Sequence, residues 1–163
     1  MADTFDHGTP PGPWELLACL GGQTTYREPI GGRSTRHGAV PHPHRVAAVV
    51  GLVRDPSDPT DCGQEIAWDI ALGTTVNQRR VCLLLAEWLG NQRWRSVDRS
   101  GHLLRQVAWE AYLRATGSPV QIRVPAGIVA KDWETLVKRG QSRLDELAQR
   151  VADAITREFC QDD

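Results

Sequence analysis

Residues 76–116 read VNQRRVCLLLAEWLGNQRWRSVDRSGHLLRQVAWEAYLRAT, two helical patterns joined by a short arginine-rich link. The first spans Val76 to Leu89. Val81, Leu84, Leu85, Trp88 and Leu89 recur at the α-helical period and form a wide apolar stripe. Cys82 and Leu83 widen it, so this helix is expected to be largely buried. Gly90 and Asn91 tolerate the left-handed conformation that ends helices. The second pattern begins near Ser100, a candidate N-cap, and stops at Gly117. Its stripe is Leu103, Leu104, Val107, Ala108, Ala111 and Tyr112. Trp109 and Leu113 flank that stripe, where they can meet another element or a partner. A link this short requires the two helices to lie against one another.

Working outward, the sequence predicts a mainly α fold: a compact helical domain with a minor β element and a long Gly/Pro-rich loop. The chain has 163 residues, enough for one domain plus an arm. Residues 1–13 form the expected flexible N-terminal arm, because Gly8, Pro10, Pro11, Gly12 and Pro13 oppose regular structure. Residues 14–160 form the single, mostly helical domain. Trp14 to Leu20 is a short helix or anchor that must dock onto something to be stable. Trp14 either packs on the chain's own core or serves a protein partner.

Residues 23–45 (QTTYREPIGGRSTRHGAVPHPHR) are rich in Gly and Pro and read as an extended surface loop. The run VAAVVGLV, Val46 to Val53, suits a short helix or a buried strand, and periodicity does not choose between them. DPSDPTD, Asp55 to Asp61, is an acidic turn segment, and Gly63 to Leu72 is another short helical stretch. Beyond the break at Gly117-Ser118-Pro119, VQIRV alternates like a strand, with Val46 to Val53 as its candidate mate. A helical region follows Pro125. Gly140 is a place for it to break, and residues 141–159 carry the last stripe: Leu144, Leu147, Val151, Ala154 and Ile155.

Several chemistries lack support. DPSDPTD lacks the spacing and closing Glu of a calcium loop. His37, His42 and His44 invite a zinc reading, but no second close ligand pair completes it, so no metal site is assigned. GGRST lacks the lysine of a phosphate-binding loop. No nucleophile elbow is present, and His102 is a lone general-base candidate. No catalytic residue and no cofactor is assigned, and an enzyme is the less favoured class. The four cysteines are widely spaced, without a CxxC pair, and read as reduced thiols. The polar, acidic N-terminus does not resemble a signal peptide, and no apolar run is long enough for a membrane span. A cytoplasmic location is therefore expected.

Charge distribution suggests the function. The formal net charge is -1, which says nothing about partners by itself. Residues 55–78 carry five acidic groups and no Arg or Lys, whereas residues 79–114 carry seven Arg and three acidic groups. Arg79, Arg80, Arg93, Arg95 and Arg99, with Trp94 among them, are expected to form an arginine-rich edge for nucleic acid, with Arg33 and Arg36 as a second contact. A small regulatory protein, such as a transcription regulator that also touches polymerase, fits this pattern. The alternative is a protein–protein interaction module or adaptor using Trp14 and Trp109, since Trp and Arg are favoured at interface hot spots. Oligomeric state is open.

Overall fold

Polar caps and prolines fix the starts of α-helices at Pro13, Pro43 and Gly101. The computed structural model describes residues 11–21, 41–94, 100–120 and 123–160, and within these the chain forms six α-helices. In order they are α1 (Pro13–Gly21), α2 (Pro43–Leu52), α3 (Gly63–Leu72), α4 (Gln78–Asn91), α5 (Gly101–Ala115) and α6 (Ala130–Phe159). Ser100 caps α5, its hydroxyl accepting from the Leu103 N–H. His42 caps α2 with Nδ1, and Pro43 occupies the first turn, where a missing N–H costs nothing. α3 ends on Gly73 in the left-handed region (φ 62°), and the Thr74 N–H closes back on the Asp69 carbonyl at 3.1 Å.

The expected minor β element is not supported. Val120, Arg123 and Val124 lie in non-repetitive backbone, residues 121–122 are outside the described set, and no strand forms among the described residues. The proposed mate, Val46 to Val53, is largely α2. A lone alternating pentapeptide has no ladder to join once its partner is capped as a helix. Gly140 does not break the last helix. α6 runs unbroken for 30 residues through it. The last three residues of the expected loop, Pro43, His44 and Arg45, open α2; residues 23–40 of that loop and residues 1–10 of the expected arm lie outside the described residues.

α6 is the spine. It packs on α5 at its N-terminal part and on α3, α2 and α1 further along, while α4 reaches it mainly through α5 and side chains. Trp133, Leu136, Val137, Leu144, Leu147, Val151 and Ile155 are buried along it. Fully burying such a side chain stabilises by roughly 1.5–3 kcal/mol. Gly140 marks a close crossing: a Cβ there would meet the Ala111 Cβ at 3.0 Å and Leu85 Cδ2 at 3.4 Å. α3 touches α1, α4 and α6, which explains why Ile66, Trp68 and Ile70 all pack inward although they share no single face. No described helix is long and apolar enough to cross a membrane.

Candidate functional site

α4 and α5 form an antiparallel hairpin whose register is set by close contacts. Cys82 Sγ lies 3.8 Å from the Ala108 carbonyl, and a Cβ on Gly90 would meet Leu104 Cδ1 at 3.5 Å. Leu85 and Ala111 both turn toward Gly140 of α6, so they define the inner side of the pair. Each residue advances about 100° around an α-helix. The residue two before each of Leu85 and Ala111 stands about 160° around its helix from that inner position and therefore emerges on the outer side. Those residues are Leu83 and Trp109, and their side chains project from the same side of the hairpin. Leu83 is 52% exposed and Trp109 45% exposed. Val76, at the approach to α4, is 79% exposed. Arg79, one turn before Leu83, and Arg105, one turn before Trp109, extend this outer face, and both are exposed.

The arginines of the expected edge have different environments. Arg79 and Arg80 lie in the first turn of α4, and Arg93 lies two residues past its end, so a helix length of about 20 Å separates them. Arg80 Nε donates to Glu65 Oε1 at 3.0 Å, and Arg54 Nη2 donates to the same oxygen at 2.6 Å. Arg79 and Arg93 are exposed and make no ion pair among the described residues. Trp94 is half-buried. Its indole N–H donates to the Leu89 carbonyl at 2.9 Å, and the Arg139 guanidinium lies over its ring. Arg33, Arg36, Arg95 and Arg99 lie outside the described residues. Trp14 packs against the core, whereas Trp109 stands at the surface.

Elsewhere the polar groups are occupied in holding the fold. Asp55 accepts from the backbone N–H and hydroxyl of Ser57, and Asp58 does the same from Thr60. Asp61 accepts from the backbone N–H groups of Asp55 and Gly63. The repeated Asp-Pro-Ser/Thr pattern is thus a pair of self-satisfied turns. No group of three or more His, Cys, Asp or Glu side chains suited to a metal occurs among the described residues. The His42 and His44 rings stack at 4.8 Å, and His42 is engaged as a cap. His102 is exposed and shares a 3.3 Å hydrogen bond with Gln106. It lines a cleft of about 320 Å³ with Ser100, Ile128 and Asp132, where Ser100 is committed to capping α5. Burial pushes the Cys62 and Cys82 thiols up to about 12, which keeps them protonated and poorly nucleophilic.

Leu83 is the residue the periodic pattern misplaced. It was grouped with the buried stripe, yet it stands about 160° around the helix from Leu85, and that angle is legible in the sequence. No protein-family model, curated protein or solved structure matches this chain.

Proposed function

We propose that this protein is a protein–protein interaction module that binds through the outer face of the α4–α5 hairpin. The observation that carries the reading is the exposure of Leu83 and Trp109 on the side turned away from α6, with exposed Val76 at the approach to α4. Most surface hydrophobics occur singly. Here Trp109 and Leu83 project together beside two arginines, and Trp and Arg are the residue types favoured at interface hot spots. Leu83 and Trp109 are about half exposed, so burying the remainder against a partner recovers roughly half of the 1.5–3 kcal/mol of a full burial, about 1 kcal/mol each before any specific contact.

The test is capture of a binding partner by the immobilised protein after nuclease treatment, with wild type, Leu83→Ser and Trp109→Ser compared. Each substitution is expected to weaken capture by about 2 kcal/mol, roughly 30-fold, with helix content unchanged. Equal capture by all three proteins overturns the assignment.

A second reading, contact with nucleic acid by a small regulator, is favoured by the absence of ion-pair partners at Arg79, Arg93 and Arg105 among the described residues. It requires salt-dependent duplex binding that weakens, with a shallower salt slope, when Arg93 and Arg95 become Ala. Duplex affinity unaffected by those changes excludes it.

A further inference from the structure

We propose that the partner on this face is a second copy of the chain, with the two α4 helices packed antiparallel about a twofold axis at Leu83. The inference rests on the interaction surface described above and names its occupant. Along the outer side of α4 the exposed residues run Arg79, Leu83, Glu87, at steps of one helical turn. The pattern is positive, apolar, negative, with the apolar residue at its centre.

A twofold axis through Leu83 pairs each residue with the one equally far on the other side of it. Leu83 then packs on the partner's Leu83, Arg79 meets the partner's Glu87, and Glu87 meets the partner's Arg79. That is the self-complementarity an isologous interface demands. Trp109 stands beside Leu83 and therefore beside the axis, the central position where hot spots concentrate.

Arg45, Arg54, Arg80, Arg114 and Arg143 each have a carboxylate partner. Arg79 and Glu87 have none among the described residues. They lie two turns apart on one helix, about 12 Å along its axis, so they do not reach each other. An antiparallel copy brings them together twice. An arginine-flanked apolar strip without Glu87 would instead suit an acidic partner helix. The unpaired Glu87 would meet like charge there and disfavours that occupant.

Sedimentation of the full chain over a roughly micromolar to submillimolar range tests the pairing. Wild type is expected to show a concentration-dependent monomer–dimer equilibrium. Arg79→Glu alone and Glu87→Arg alone each create two like-charge contacts and are expected to weaken it at least about tenfold. An equimolar mixture of the two variants is expected to recover dimer, because every charge contact is then opposite. The double variant R79E/E87R is expected to recover it also. All these positions are exposed, and circular dichroism verifies that the variants fold.

A wild type that stays monomeric throughout, or single variants that associate as well as wild type, overturns the proposal. So does a mixture that fails to recover dimer. A monomeric wild type that still captures a different protein through Leu83 and Trp109 overturns only the self-pairing and leaves the interaction surface standing.

Discussion

The side chain that ties the hairpin to the rest of the molecule is Asp69, fully buried at 0% exposure. Its carboxylate accepts from the Tyr112 hydroxyl at 2.7 Å and from the backbone N–H of Asn77 at 3.1 Å, with Thr74 Oγ1 and Asn77 Nδ2 also donating. One carboxylate thus joins the end of α3, the start of α4 and the last turn of α5. Such a group is tolerated in the interior only because its lone pairs are filled. Burial and the adjacent Asp69 carboxylate both push the Tyr112 phenol upward, so it remains a donor. Tyr112→Phe removes one donor and leaves the carboxylate short of a partner. A loss of about 1–3 kcal/mol is expected, read from the midpoint of urea unfolding. Loss below a few tenths would mean that water or Asn77 replaces the phenol without cost.

Among the elements, α6 shows how a glycine can serve a long helix instead of ending it. Gly140 loses helix propensity relative to Ala by about 1 kcal/mol. It gains the close approach of α5, whose Ala111 Cβ would stand 3.0 Å from any added Cβ. Gly140→Val forces α5 and α6 apart at their crossing, and a destabilisation of about 2–3 kcal/mol is expected in chemical denaturation. Unchanged stability would show that the crossing relaxes freely. The helical period of α6 was legible from Leu136 to Ile155, but the continuity across Gly140 was not. A glycine reads as a break until a neighbouring helix is known to press against it. Leu83 carries the same lesson in reverse: an apolar residue on an apolar helix reads as core until the packing partner is seen to lie on the other side.

At the scale of the molecule, α6 also clamps the acidic turn segment. Arg143 forms an ion pair with Asp58 and lies over the Trp88 ring, so α6, the 55–61 turns and α4 meet at one guanidinium. The Thr60 hydroxyl, then Arg143 and the Thr60 N–H, hold the Asp58 carboxyl below its ordinary value of 3.8. A carboxyl with a depressed folded-state value contributes stability that is complete above its unfolded value and is lost as pH falls through the folded one. Denaturation midpoints followed from neutral pH to below 3.8 are therefore expected to fall on the acid side. Asp58→Asn is expected to lower the midpoint at neutral pH and to flatten that acid limb. An unchanged acid limb in the variant would assign the pH dependence to other carboxylates. The site is visible only at this scale, because its outward direction is defined by where α6 lies.

Local sequence information determined the Ser100 cap, the paired helices within residues 76–116 and the stripe of the last helix. These depend on capping chemistry and a 3.6-residue period, both written along the chain. Tertiary structure decided the helical state of most of Val46 to Val53, the absence of a strand at Val120 and Val124 among the described residues, and the passage of α6 through Gly140. It also decided which arginines meet carboxylates. Arg80 and Glu65 lie on different helices, and only packing brings them together. The outer face follows the same rule: the apolar pattern reads Leu83 as core and Trp109 as flanking, and the antiparallel register of α4 and α5 places both exposed side chains on one side.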